Sequence, residues 1–178
     1  MKNLFSLVLV VATLLLTACS TTYQNTNPVN MKFPLVSGES LEKEVVSMPI
    51  HFSGRPVVLL LGYKQNSQFD IDRWLIGLDM TKTRVDTYEL PAVAGMFPQF
   101  FETQINDGMR RGIPKELWKG VITIFEDGDL IQKFTGNENP NNARVLLLDS
   151  SSKIVYFYDR GFSVAALNDL RSNLMELK

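Results

Sequence analysis

Apolar and polar positions follow different rhythms in successive parts of this chain. Val57-Val58-Leu59-Leu60-Leu61-Gly62-Tyr63 is unbroken and β-branched or aliphatic, the pattern of a central strand covered on both faces. Gly54-Arg55-Pro56 breaks the chain before it, and the polar stretch Lys64-Gln65-Asn66-Ser67-Gln68 follows as a loop. From Phe69 to Met80 the period changes to that of a helix, with Ile71, Trp74, Leu75 and Leu78 on one face and Ser67 or Asp70 available to cap its start. Arg84–Leu90 reads as a second strand ended by Pro91, and Val121–Phe125 as a third. Between them Phe97–Arg111 forms a helix pattern with Phe97, Phe100, Phe101, Ile105 and Met109 as its stripe and Gly112 at its C-terminal cap. Glu126–Asp129 reads as a solvated turn, followed by a linker. Val145–Asp149 and Lys153–Tyr158 flank Ser150-Ser151-Ser152 as a hairpin. Beyond Gly161 a last helix spans Ser163–Leu177, capped by Ser163 and carrying Val164, Leu167, Leu170, Leu174 and Leu177 inward. Nearer the start, Met31–Val36 is a short extended segment, Ser37-Gly38 a turn, and Leu41–Met48 shows no clear period. Strands alternating with helices predict an α/β sandwich.

The first residues obey another logic. One positive charge at Lys2 precedes an apolar run from Leu4 to Leu16, which is short for a bilayer span but suits a secretory leader. The run ends in Leu16-Thr17-Ala18-Cys19, which resembles the bacterial lipobox. That resemblance implies cleavage before Cys19, acylation of its thiol with a palmitate-type chain, and anchoring in a membrane. Ser20, in place of the aspartate that retains lipoproteins in the inner membrane, implies the outer membrane, facing the periplasm. The expected organisation is a signal peptide at 1–18, a lipidated cysteine and flexible tether at 19–30, and one folded domain at 31–178. Residues 20–30 are polar and nearly free of large aliphatics, so they read as a tether that holds the domain off the lipid surface.

Composition narrows the chemistry. The sequence contains a single cysteine and a single histidine among 178 residues. With Cys19 acylated, thiol–disulfide exchange, sulfenate chemistry and thiolate metal sites are all excluded from the domain. The formal net charge of −1 offers no basic patch for nucleic acid. His51 lacks the partners of a zinc site or a catalytic triad, and no Gly-x-Ser-x-Gly elbow is present. Glu126-Asp127-Gly128-Asp129 has too few alternating oxygen ligands for calcium. Trp74, Trp118 and the Phe97, Phe100 and Phe101 group read as core, and Asp70, Asp72 and Arg73 as a solvated helix face. No cofactor and no metal are implied.

Gly54-Arg55-Pro56-Val57-Val58-Leu59-Leu60-Leu61 resembles the approach to the first core strand of thioredoxin-like redoxin domains, and Ala143–Val155 resembles their terminal hairpin. Within that superfamily Phe69-Asp70-Ile71-Asp72-Arg73-Trp74-Leu75, together with Leu146–Asp149, Lys153-Ile154, Tyr156–Tyr158, Gly161 and the helix after it, is similar to the mitochondrial ATP synthase assembly factor family and its bacterial relatives. The resemblance covers 31–178 and implies a three-layer sandwich with a mixed central sheet flanked by helices. The departures are as informative. Where a thioredoxin has Cys-x-x-Cys, this chain has Tyr63-Lys64-Gln65-Asn66-Ser67-Gln68, and where it has a cis-proline before the hairpin strand, this chain has Asn141-Asn142-Ala143-Arg144, with Pro140 slightly early. The resemblance therefore implies a redox-inactive, non-enzymatic domain that binds a protein partner and assists assembly of an envelope complex. Its binding surface would comprise Tyr63, Lys64, Gln65, Asn66 and Ser67 with Asn142 and Arg144, because those two segments adjoin in this fold. The competing expectations are a non-thiol hydrolase using Ser67 and a purely structural envelope lipoprotein.

Overall fold

Six consecutive residues with no exposed position, Val57–Gly62, form strand β3 and set the plan of the molecule. In this computed structural model, residues 21–95 and 101–177 are described. The apolar run can be buried throughout because it is hydrogen-bonded along both edges: to β4 (Asp86–Pro91) in parallel and to β6 (Arg144–Leu148) antiparallel, with β7 (Ile154–Tyr158) pairing β6 in turn. The strand pleat then sends alternate side chains to opposite faces. Val57, Leu59 and Leu61 join Leu146, Leu148 and Leu90 on one face, while Val58 and Leu60 join Val145 and Leu147 on the other.

The second face is covered by helices α1 (Gln68–Met80) and α4 (Val164–Glu176). Ile71, Trp74 and Leu78 of α1 pack with Ala166, Leu167, Leu170 and Leu174 of α4, and Trp74 lies edge-on against Tyr158 and Phe162. Ser163 caps α4 as expected, its Oγ accepting from Ala166 N at 3.1 Å. Ser67 does not cap α1; its hydroxyl donates to Lys64 O. Val164, expected inward, is exposed, and Ala166 takes the buried position.

The first face is covered by a hairpin that the apolar rhythm left indistinct, by the third strand it predicted at Val121–Phe125, and by a helix it missed. Strands β1 (Val36–Ser40) and β2 (Val45–Met48) form an antiparallel hairpin, and β5 (Ile122–Thr123) pairs with β1. Bridges Glu89–Val121 and Ala92–Ile124 join this small sheet to β4. Ser37-Gly38, read as a turn, lies within β1. A Cβ on Gly38 would meet Ile122 Cγ2 and Thr123 O at 2.8 Å, so this glycine serves close approach of strands. The expected linker after β5 contains helix α3 (Gly128–Thr135), so Glu126–Asp129 is the entrance to a helix. Its buried positions are Gly128, Ile131, Gln132 and Thr135, half of them polar, so no apolar stripe announces it.

Helix α2 spans Glu102–Gly112 and is held by polar contacts. Its buried residue is Asn106, which donates to Glu39 Oε1 at 3.0 Å and accepts from Thr123 Oγ1 at 2.9 Å. Phe101 is exposed, Ile105 and Met109 are half-buried, and Phe97 and Phe100 lie outside the described residues. Trp118 is half-buried rather than core, donating to Ile113 O. The layers are therefore helices, mixed sheet, then helix and hairpin, as the thioredoxin-like expectation required.

Trp74 Nε1 is buried without a partner. Truncating this ring should be costly while removing its N–H should not. Trp74→Ala is expected to lower stability by about 3–5 kcal/mol, and Trp74→Phe by less than half of that because it also removes an unpaired donor. Urea midpoints at constant slope check both.

Candidate functional site

The loop after β3 and the segment before β6 are adjacent, and a single carboxylate joins them. Asp70, on the first turn of α1, accepts from Ala143 N at 2.8 Å through Oδ2 and from Phe162 N at 2.7 Å through Oδ1. It is 5% exposed, which corrects its reading as part of a solvated helix face. The signal was present in the spacing: Asp70, Trp74 and Leu78 recur every four residues and share one face. Asp72 and Arg73 are exposed, as expected.

On the loop itself Lys64, Gln65 and Asn66 are exposed, and Gln65–Ser67 form one short 3-10 turn. Asn142 is half-buried and donates through Nδ2 to Asp159 O. Those four residues present the surface. Tyr63, Ser67 and Arg144 are buried beneath it and support it. Tyr63 hydroxyl donates to Ile131 O and shares a short hydrogen bond with Thr135 Oγ1, and burial pushes its pKa well up. The guanidinium of Arg144 stacks on the Tyr63 ring at 4.8 Å. Its Nη1 donates to Asn139 O and Asn142 O. Burial lowers its pKa, opposed by electrostatic interaction with Tyr63 and Asp159. Pro140 is not cis; among the described residues the one cis peptide is Met48–Pro49.

The hydrolase expectation finds no support in this arrangement. The Ser67 hydroxyl is spent on Lys64 O, and His51 is in a surface turn, edge-on to Phe52 and Tyr88.

Residues 21–27, a polar leader segment to the folded domain and distinct from the apolar run at 4–16, do not hang free. The stretch read as a free tether lies against the domain from Thr21 onward. Tyr23 and Asn137 exchange hydrogen bonds, Thr26 N donates to Thr135 O, and Asn25 N donates to Glu138 Oε2. Asn25 Oδ1 accepts from Glu138 N and, at 3.4 Å, from Arg144 Nη2. Gly136, at φ +78°, makes the seat possible, since a Cβ there would stand 2.2 Å from Asn25 Cα. From Asn30 to Phe33 the chain then bonds along β7 and its turn, through Ile154 and Ser152. Polar composition hid this docking, because it depends on hydrogen bonds rather than apolar burial. Residues 21–27 are exposed or half-buried. Hydrogen bonds of about 1 kcal/mol each are set against ordering costs of about 1–2 kcal/mol per residue, so the segment is held only marginally.

By sequence the chain matches no protein family and no curated protein. By structure it is similar to a thiol peroxidase from Chromobacterium violaceum, with 11% identity, TM-score 0.59, and coverage of 88% of this chain and 90% of that one. It is similar to BsSco, a member of the Sco family of cytochrome c oxidase assembly proteins, with 10% identity, TM-score 0.59, and coverage of 86% and 97%. It is also similar to a SCO1/SenC family lipoprotein from Bacillus anthracis, with 12% identity, TM-score 0.58, and coverage of 86% and 99%. The fold is thioredoxin-like. It lacks the paired cysteines of a thioredoxin at the loop after β3.

Two outcomes follow from the site's electrostatics. Asp70→Ala leaves two backbone donors without their acceptor and should cost about 3 kcal/mol, with Asp70→Asn losing less, as read by denaturant unfolding. Glu89, beside Gln68 and Asp72, has its pKa raised by burial, against the hydrogen bond from Gln68 and aided by the Asp72 charge. A carboxyl whose pKa rises on folding contributes stability that is fully present below its unfolded value of about 4.3 and is lost as pH increases from there through its raised folded value. Glu89→Gln should therefore raise the urea midpoint at pH 7 and leave it unchanged at pH 3.5.

Proposed function

We propose that this chain is a redox-inactive thioredoxin-like binding protein of the bacterial envelope, anchored by lipid on Cys19 and assisting assembly of an envelope complex. The observation that carries this reading is the site itself. The two segments that meet in this fold are held in place by Asp70, and the loop between β3 and α1 contains no sulfur. A surface held in place by a buried carboxylate, without electron-transfer chemistry, is suited to capture a polypeptide and release it unchanged. The contact residues are Lys64, Gln65, Asn66 and Asn142, with Tyr63, Ser67 and Arg144 setting their positions from below.

The envelope assignment rests on Leu16-Thr17-Ala18-Cys19, and the outer-membrane, periplasm-facing placement on Ser20. The resemblance to the ATP synthase assembly factor family, and the assembly role named for BsSco, favour a client that is a membrane complex under construction. With Thr21 seated on the domain, Cys19 is two residues away, a reach of about 7 Å. The anchored domain therefore rests at the lipid surface rather than standing off it.

Cys19→Ser should abolish incorporation of labelled palmitate and move the protein from the membrane pellet to the soluble fraction. Photocrosslinkers at Lys64 and Asn66 in intact cells should yield one defined adduct that is absent when the probe is at Glu176 or Asp79. Replacing Lys64, Gln65 and Asn66 together by Ser should reduce that adduct at a probe on Asn142 by about tenfold, a loss of about 1.4 kcal/mol. Equal adducts at all positions would sink the surface assignment.

A further inference from the structure

Arg144 is more deeply buried than its surroundings justify. It is 0% exposed, yet among the described residues it forms no ion pair with a carboxylate. Its donors are unequally served. Nη1 has two backbone carbonyls, Nη2 has only the long contact to Asn25 Oδ1, and Nε has no partner. Nε and Nη2 form one side of the guanidinium fork, the pair of parallel donors that matches the two oxygens of a carboxylate. The underused edge is therefore a specific shape. The Tyr63 ring on the guanidinium face holds the plane in place.

What stands over Nη2 belongs to the marginally held leader. Asn25 also lines a cleft of about 300 Å³ with Thr26, Asn27, Tyr158, Asp159 and Arg160. Asp159 also lines that cleft, and its charge acts on Arg144 without forming an ion pair with it, while the Arg160 guanidinium lies over the Tyr158 ring at 5.1 Å. Asn25 presents to Arg144 one neutral amide oxygen in the place where a carboxylate would present two charged ones. An amide in that position is a weak internal substitute, and it can be displaced by the stronger acceptor.

We propose that Arg144 is a carboxylate-binding residue whose site the leader segment Thr21–Asn27 holds closed, and that its ligand is an aspartate, glutamate or C-terminal carboxylate of the bound polypeptide. This rests on the reading of the adjoining surface as polypeptide-binding, and it adds both a chemical preference and a gate. An incoming carboxylate pairs with Nε and Nη2, Asn25 leaves, and residues 21–27 are freed from Gly136 and Asn137. The leader thereby lengthens as the client binds.

The test uses the purified full-length protein with acetate as the probe, following the Arg144 Nε–H resonance. Asn25→Ala weakens the closed state, and Gly136→Ala does so independently by removing the space for the Asn25 backbone. Both should show a saturable acetate shift with half-saturation about tenfold below that of the unaltered protein, because the competent state is more populated. Asn25→Asp supplies the carboxylate internally and should abolish the response. Absence of an acetate shift in both opened variants, with folded spectra, overturns the proposal. So does an undiminished client adduct at Lys64 in Asn25→Asp, which would leave the surface reading intact while removing the carboxylate. Acetate binding in the opened variants without any client adduct would support the site and count against the proposed function instead.

Discussion

Strand β3 is the constraint from which the rest of the structure follows. A strand with apolar side chains on both faces and partners on both edges cannot face water anywhere. It therefore requires a layer above and a layer below. Val58 and Leu60 obtain theirs from two long amphipathic helices; Val57, Leu59 and Leu61 obtain theirs from a hairpin, a short helix and aromatic side chains such as Phe33 and Phe52. Since β3 is wholly buried, its C-terminal end is where the backbone must leave the core, and the loop Tyr63–Gln68 emerges there beside the start of β6.

In a thioredoxin that emergence point carries reactive sulfur. Here it carries a buried polar network instead. Tyr63, at the end of the apolar run, points its hydroxyl to α3 and offers its ring to Arg144. Asp70 ties α1 to the segment before β6 and to the turn before α4. Such a network is costly to bury and stable only when its members are paired. It fixes the relative position of two exposed segments to within hydrogen-bond tolerances, which is what a binding surface needs from its support. The shortfall at Arg144, one guanidinium edge served by a single long contact, is then the departure from this rule that invites a functional account.

The leader shows how weakly a polar segment can be held while still being ordered. Its seat depends on a glycine without a Cβ and on the amide of Asn137, not on buried hydrocarbon. A segment of that kind has an opening free energy far below that of the core. Its position between the proposed site of lipidation and Arg144 would link anchor geometry to the state of the binding surface.

Local pattern was sufficient for β3, α1, the β6–β7 hairpin, and α4 with its Ser163 cap, whose inward positions are apolar and recur over a long enough stretch to show a period; β2, with only Val46 and Met48 inward, was too short to show one. The same reading established that the domain has no sulfur for thiol chemistry and that a lipobox-like motif precedes it. The pattern failed where inward positions are polar. Helix α3 buries Gln132 and Thr135, the helix expected over Phe97–Arg111 forms as α2 but is held by Asn106 instead of its apolar stripe, and the leader is held by backbone and amide hydrogen bonds. The neighbourhood of the loop after β3 and the segment before β6 was legible from resemblance, but the division into exposed contact residues and buried supports was not. That Asp70 is a bridge rather than a solvated charge, and that Arg144 is covered by Asn25 more than a hundred residues earlier in the chain, depend on contacts between distant segments. Hydrophobic periodicity reports how each residue meets its own helix or strand. The partner of a buried polar group is decided only when separate elements are brought together, and for that the tertiary structure was required.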